Sequence, residues 1–218
     1  MSSAPDASAD SVVTGRAPAV ATRKRPKPGE RRVQILQVLA EMLQQPGAER
    51  VTTAALAARL AVSEAALYRH FASKAQMFEA LIDFIESSVF GLINQIGERE
   101  PAGRARAARI VAMVLQFGEK NPGMARVMVG DALVFEHERL QQRMNQFFDK
   151  LDAALRQSLR DGALADAAEP ATSTPDADAR VRASVLTAFV VGRLQRFARS
   201  GFRRAPSEQL GACIARML

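Results

Sequence analysis

The fold of this chain is decided by residues 52–74, which read TTAALAARLAVSEAALYRHFASK. Thr52 has a side chain suited to capping a helix N-terminus, and Leu56 and Leu60 after it lie four residues apart, on one face of a helix. Ala61 and Val62 then fall in a short turn. This half of the stretch therefore predicts a short amphipathic helix that ends at a tight turn.

The second half of the stretch predicts another short helix. Ser63 is its N-cap, and Glu64 places a negative charge at the positive helix end. Leu67 and Phe71 are four apart and face inward. Three side chains are left facing outward, namely Tyr68, Arg69 and His70. The two helices and their turn have the pattern of a helix-turn-helix, although an ordinary helical hairpin in an alanine-rich bundle remains an alternative.

Small residues at the start of the second helix favour a role in reading DNA. Ala65 and Ala66 let the backbone approach the major groove closely. Ser73 and Gln76 then form a predicted capping box that begins a longer helix, and Lys74 at that positive helix end suits a phosphate. The pattern predicts a helix-turn-helix domain over residues 30–77.

Residues 56–82, LAARLAVSEAALYRHFASKAQMFEALI, resemble the DNA-binding domain of the tetracycline-repressor family. Residues 114–148, VLQFGEKNPGMARVMVGDALVFEHERLQQRMNQFF, resemble one branch of it, whose members bind chromosomal sites and block assembly of the division protein FtsZ. The resemblance covers nearly the whole chain after Arg31, apart from residues 162–179. It implies an all-α fold, in which a three-helix DNA-binding domain is joined by a long helix to a C-terminal helical domain for dimerisation and regulation.

The pattern and the resemblance together define a DNA-contacting set. We expect phosphate contacts from Thr52, Thr53, Tyr68, His70 and Lys74, and the resemblance implies that Ser63, Glu64, Ala65 and Ala66 lie nearest the base edges. Arg32 and Arg69 complete the set. A homodimer is expected to place two such helices on a near-palindromic site in double-stranded DNA.

The resemblance also implies a groove for the C-terminal tail of FtsZ, between the long helix and the next one. The positions that match its lining are Phe84, Met113, Gln116, Lys120 and Asn121. Phe84, Asn121 and the positive charge of Lys120 keep the pattern of this branch, whereas Met113 and Gln116 replace other residue types. The alternative is that Phe84 belongs to the core and Asn121 only caps a turn.

Length and composition are those of a soluble chain with a sizeable core. The 218 residues are 48% hydrophobic, and 30 basic against 23 acidic residues give a net charge of +7, which suits an anionic partner or a solvated surface. No signal peptide or membrane span is recognised, so we expect a cytoplasmic, nucleoid-associated protein. Residues 1–29 are polar, aperiodic and basic towards their end, which predicts a disordered tail that either touches DNA or aids solubility.

Residues 78–218 are predicted to form the C-terminal helical domain. The long helix should run towards Ile96 and break at residues 97–103, a core helix should end at Asn121, and residues 162–179 should form a loop. The helix after that loop presents two apolar faces, of which one can pack on the core and the other on a second copy. The interface residues predicted from these faces are Val185, Leu186, Phe189, Val190, Leu194 and Phe197.

Little in the sequence favours an enzyme. It has no acid–base pair at motif spacing and no glycine-rich phosphate loop, and Cys213, His70 and His137 are too few for a structural metal, so we expect no cofactor and no metal. Two binding functions remain. One is a DNA-bound dimer whose partner is the FtsZ tail, and the other is a transcriptional repressor released by a small ligand in a pocket of the C-terminal domain.

Overall fold

The computed structural model describes residues 29–45, 50–165 and 175–218. Every regular element in these ranges is a helix, which confirms the predicted all-α fold. The helices are α1 (Glu30–Leu43), α2 (Thr53–Arg59), α3 (Glu64–Tyr68), α4 (Lys74–Arg99), α5 (Gly103–Lys120), α6 (Pro122–Met128), α7 (Glu138–Ala165), α8 (Pro175–Arg199) and α9 (Leu210–Met217), with a 3-10 turn at Asp131–Leu133. The prediction of a disordered tail falls, apart from Gly29, outside the described residues.

Helices α1 to α3 form the N-terminal domain around a small apolar core. Leu39 of α1, Leu56 of α2 and Leu67 of α3 are each 1% exposed. Both predicted caps are present, because the hydroxyl of Thr52 accepts the N–H of Ala55 at 3.1 Å and the hydroxyl of Ser63 accepts that of Ala66 at 3.3 Å. Local capping therefore fixes where α2 and α3 begin.

Helix α4 is the long connection between the two domains, about 39 Å long for its 26 residues. The hydroxyl of Ser73 accepts the N–H of Gln76 at 3.2 Å, as predicted. The predicted return bond differs, because the Gln76 amide oxygen accepts the N–H of Ala72 at 2.9 Å. The predicted break at residues 97–103 begins too early. Helix α4 continues through Gly97 to Arg99, because one glycine costs only ~1 kcal/mol in a helix, and it ends just before Pro101.

Ion pairs join α4 to α7 and to the turn before it. They are Lys74–Glu136, Glu79–Arg139, Asp83–Arg143, Glu86–Arg143 and Glu86–Lys150. Partial burial opposes the charge of Arg143, but hydrogen bonds to Glu86 and Asp83 outweigh it and raise the pKa of the guanidinium. The connecting helix is therefore held to the C-terminal domain along one side.

The core of the C-terminal domain lies between α5, α7 and α8. Leu140, Met144, Phe147 and Leu151 of α7 are fully buried, so α7 is a core helix. Gly103 lets α5 approach α7 closely, because a Cβ atom there would lie 2.2 Å from the carbonyl oxygen of Ser158. No helix in the described ranges is both long enough and apolar enough to cross a membrane.

The predicted loop at 162–179 is too long. Helix α7 continues to Ala165, because the residues after Gly162 are alanine and leucine, which favour helix, and α8 begins at Pro175, where proline is tolerated in a first turn.

The assignment to the dimer interface is wrong for four of the six predicted residues. Leu186, Val190 and Leu194 are 0% exposed and Phe197 is 3% exposed in the single chain, so they pack in its own core and offer no surface to a second copy. Val185 is 48% exposed and Phe189 is partly buried. Only the face that carries these two residues remains open to a partner.

Candidate nucleic-acid interface and partner groove

Helix α3 presents a short, small-residue surface to solvent. Ser63, Glu64 and Ala65 are exposed at its start, Ala66 is partly buried, and the Tyr68 side chain is 46% exposed at its end. The predicted base-reading residues thus share one accessible edge of the domain. The helix itself ends at Tyr68, and a turn of backbone hydrogen bonds continues to Phe71, which is buried as predicted.

The turn between α2 and α3 is held by backbone hydrogen bonds. The N–H of Val62 donates to the carbonyl of Ala57 at 3.0 Å, and the N–H of Ala61 donates to that of Ala58 at 3.1 Å. Ala61 has a φ of 53°, a left-handed conformation in which glycine is usual at helix ends. The sharp reversal brings the starts of α2 and α3 together.

A side-chain hydrogen bond links these two helix starts. The hydroxyl of Thr53 donates to the carboxylate of Glu64 at 2.6 Å. Both residues belong to the predicted DNA-contacting set, and in the chain alone they bind each other. The bond holds the start of α3 against the start of α2 and so fixes the orientation of α3 in the domain.

Arg32 braces the far end of α3. Its guanidinium donates a hydrogen bond to the backbone carbonyl of His70 and lies 4.0 Å from the centre of the Phe71 ring. A cation over an aromatic face adds to the packing of α1 against this end of the domain. Arg32 therefore has a structural role, and its contact with DNA stays a prediction.

Lys74 makes an ion pair that the sequence did not predict. Its ammonium group donates to the carboxylate of Glu136, in the segment before α7, and the two side chains are 24% and 8% exposed. The residues are 62 positions apart, so no local pattern connects them. Without DNA, the ammonium group of Lys74, which is predicted to contact a DNA phosphate, is thus paired with a carboxylate of the C-terminal domain.

The predicted partner groove lies along the packed pair α4 and α5. Phe84 on α4 is 49% exposed, so the alternative that it belongs to the core is wrong. On α5, Met113 is partly buried, while Gln116 and Lys120 are exposed. An exposed ring, a methionine and a cation are therefore available on neighbouring helices.

Asn121 ends α5 and begins α6. Its side-chain nitrogen donates to the carbonyl of Phe117 at 2.8 Å, and Pro122 follows as the first residue of α6. Asn121 therefore caps the end of α5, and its contact with a partner stays a prediction. Its amide oxygen and its second side-chain N–H are left for a partner.

Two cavities lie at the end of α8 and are open to solvent. One, of about 510 Å³, is lined by Phe189, Gly192, Arg193, Arg196, Arg204, Ala205, Glu208 and Gln209. The other, of about 400 Å³, is lined by Gln195, Arg196, Arg199, Ser200, Arg203 and Arg204. Both are polar surface features outside the packed core. Among the residues that the structure describes, no group of three His, Cys, Asp or Glu residues is placed to hold a metal ion.

Two family models match the chain. Residues 35–81 match the model for bacterial regulatory proteins of the tetR family. Residues 103–215 match the model for the tetracyclin repressor-like C-terminal domain of the SlmA-like type. The first match contains α2, α3 and their turn, and the second contains α5 to α8 and most of α9.

Curated relatives named nucleoid occlusion factor SlmA match most of the chain. The Cronobacter sakazakii protein is 48% identical over 84% of this chain and 90% of its own length, and the Alteromonas mediterranea protein is 45% identical over 84% and 91%. Among solved structures, a TetR-family regulator from Bordetella parapertussis matches with a TM-score of 0.64 at 18% identity, covering 87% of this chain and 95% of its own. FadR from Bacillus subtilis, in complex with stearoyl-CoA, matches with a TM-score of 0.65 at 13% identity, covering 85% and 96%. These two likenesses concern the fold alone.

Proposed function

This chain belongs to the tetR family of bacterial regulatory proteins, in the group of the SlmA nucleoid occlusion factors, and from that premise we propose that it is a DNA-bound homodimer that antagonises FtsZ assembly. Its place would be the cytoplasm, on the nucleoid. Division would then be prevented wherever the protein occupies chromosomal sites.

The capped, exposed α3 is the observation that carries the DNA-binding part. Ala65 offers no side chain that keeps the backbone away from the major groove, and Tyr68 stands exposed at the other end of the helix. Short residues near the bases and longer polar residues at the flanks suit the division between base reading and phosphate contact. Arg32 and the Thr53–Glu64 bond hold this surface in place before DNA arrives.

The open face of α8 supports dimerisation. Val181 and Val185 are 62% and 48% exposed, and Phe189 continues the same line at four-residue spacing. An apolar stripe of this kind on a long helix is stabilised by a second copy. Two-fold symmetry would present two copies of α3 to DNA, with half-sites about 34–36 Å apart or a multiple of that distance.

This part is tested by selecting a bound duplex and footprinting the protein on it. A symmetric footprint with two protein copies per duplex at the affinity midpoint is expected, as measured by sedimentation. One copy on a single half-site would refute the dimeric reading.

The α4–α5 groove supports the FtsZ part. The tail of FtsZ is an extended acidic and apolar peptide, and Phe84 with Met113 offers apolar contact beside the cation of Lys120. Lys120 forms no ion pair with any residue in the described ranges, so its charge is available to a carboxylate.

Reversing the charge of Lys120 tests the groove. Lys120→Glu should keep dimerisation and DNA affinity, because Lys120 is on α5 and belongs neither to α3 nor to the open face of α8, and should abolish inhibition of FtsZ polymers. Arg99→Glu, which makes the same charge change at the exposed end of α4, is the matched control and should inhibit normally. Full inhibition by folded, DNA-bound Lys120→Glu would instead favour a repressor released by a ligand.

The cavities support a protein partner over a small apolar effector. Both are open and lined by arginines, whereas effector pockets are mostly enclosed and apolar. Val111, Val114 and Leu115 of α5 are fully buried in the core that α5 forms with α7 and α8.

A further inference from the structure

The end of α8 and the loop after it form a concentrated positive surface. Residues 193–204 read RLQRFARSGFRR, with five arginines and no acidic residue. We call this surface the arginine corner, defined by Arg193, Arg196, Arg199, Arg203 and Arg204. Both open cavities lie in it, and Arg196 and Arg204 line both of them.

The loop of the arginine corner is tightly built. The hydroxyl of Ser200 accepts the backbone N–H groups of Arg203 and Arg204 at 3.1 and 3.0 Å. Phe202 has a φ of 64°, which is strained for an aromatic residue, and its ring packs on Phe197 with the centres 5.1 Å apart. Packing holds this conformation, so the backbone that carries Arg203 and Arg204 is fixed before any ligand binds.

Three cations of the corner have no side-chain partner. In residues 29–45, 50–165 and 175–218, the guanidinium groups of Arg196, Arg199 and Arg204 form no hydrogen bond and no ion pair. Arg196 and Arg199 gain some stability from the negative end of α8, but Arg204 lies beyond the helix and gains none from it. Like charges held together repel each other, and a bound anion removes that cost.

The corner adjoins the proposed FtsZ groove. The hydroxyl of Ser207, in the loop to α9, bonds the carboxylate of Glu119 at 2.5 Å, and a Cβ atom at Gly118 would lie 2.4 Å from the side chain of Leu194. The end of α5 thus contacts residues next to the corner in the chain, and Lys120 directly follows Glu119. The carboxylate of Glu119 accepts the hydrogen bond of Ser207. Glu208 is the acidic residue that lines the larger cavity.

We propose that the arginine corner binds an acidic segment of the same polypeptide whose apolar segment lies over Phe84. This inference rests on the proposed function and extends its partner site from α4 and α5 onto α8. The open cavity of about 400 Å³, which Phe189 of the proposed dimer face does not line, has room for carboxylate side chains of a flexible chain, whereas a DNA duplex presents a stiff convex surface. Arginine forks bind carboxylates through paired hydrogen bonds.

The test measures binding of a labelled synthetic peptide with the sequence of the FtsZ C-terminal tail, using the full-length protein. Arg199→Glu and Arg204→Glu are suitable variants, because neither side chain makes a bond within the described chain. Each should weaken binding by roughly threefold to tenfold, in the range for reversing an exposed charge beside an acidic partner. Arg99→Glu, with the same charge change far from the corner, should bind as the wild type does.

A second peptide, with its acidic residues replaced by Asn and Gln, checks the chemistry. It should bind wild type more weakly and should no longer distinguish wild type from Arg204→Glu. Equal binding of the acidic peptide to wild type and both corner variants would overturn the inference. If the corner variants showed a reduced salt dependence of DNA binding, the corner would be a phosphate-binding surface. If they lost the dimer, the corner would be part of the interface between two copies. Either result would also overturn the inference.

The failure of the inference is distinguishable from failure of the proposed function. If Phe84→Ala abolishes peptide binding while Arg199→Glu and Arg204→Glu leave it unchanged, only the corner is refuted. If wild type does not bind the peptide at all, both the FtsZ groove and the corner are refuted.

Discussion

The ion pair between Lys74 and Glu136 leads to a specific prediction about DNA affinity. In the chain alone, the carboxylate of Glu136 occupies the ammonium group that we expect to meet a phosphate. DNA must therefore compete with Glu136 for Lys74. Glu136→Gln removes the competing charge and should tighten binding to specific and nonspecific duplexes alike, because the contact is to the backbone.

The magnitude follows from the exposure of the pair. Fully exposed ion pairs are worth about 0.2–1 kcal/mol, and side chains that are 24% and 8% exposed place this one near the upper end. About 1 kcal/mol corresponds to roughly fivefold tighter binding. Lys74→Ala should act in the opposite sense, weakening binding to all sequences and reducing the salt slope by about 0.9.

The assay is fluorescence anisotropy of a labelled duplex across a salt series. Glu79→Gln is the matched control, because it removes one negative charge and breaks the 2.8 Å pair with Arg139 that links α4 to α7, without touching Lys74. Glu79→Gln should leave the DNA affinity near that of the wild type. The double variant Lys74→Ala/Glu136→Gln should bind DNA with the same affinity as Lys74→Ala. If Glu79→Gln and Glu136→Gln increased DNA affinity equally, the increase would come from the change in net charge alone. That result would refute the claim that Glu136 competes with DNA for Lys74.

Five further substitutions test the packing, the open face of α8 and the reading surface. Gly123→Ala places a Cβ atom 2.0 Å from a backbone oxygen of α1 and should lower the free energy of unfolding by ~1–3 kcal/mol in urea denaturation, whereas Gly97→Ala, in open space on α4, should raise it by ~0.5–1 kcal/mol. Val185→Glu should yield folded monomers in sedimentation, while Leu186→Ala should cost ~2–5 kcal/mol of stability and keep the dimer. Ala65→Leu should abolish binding to the specific duplex in the anisotropy assay and keep much of the nonspecific binding, since only the close approach to bases is blocked.

The sequence predicted the parts of this fold that depend on neighbouring residues. The caps at Thr52, Ser63 and Ser73 are present because each hydroxyl bonds an N–H three positions ahead, which a local pattern can specify. The inward placement of Leu67 and Phe71 was predicted for the same reason, since a four-residue spacing defines one face of a helix.

The features that were missed depend on distant parts of the chain. Both faces of α8 are apolar, so the sequence could not say which one packs on α5 and α7, and Leu186 was assigned to the interface although the core buries it. The pairing of Lys74 with Glu136 and the contact of Gly123 with α1 likewise arise only after the helices have packed. The arginines after Arg193 were visible in the sequence, but their common surface depends on how Ser200 and Phe202 fold the loop.

The most direct test of the central claim is sedimentation of FtsZ polymers with GTP in the presence of this protein. The measurement compares a duplex that carries the selected site with a scrambled duplex of equal length. The proposed function predicts that the protein with the specific duplex reduces the pelleted FtsZ, that Lys120→Glu with the same duplex does not, and that Arg99→Glu does. Unchanged polymer with wild-type protein fully bound to its specific duplex would contradict it.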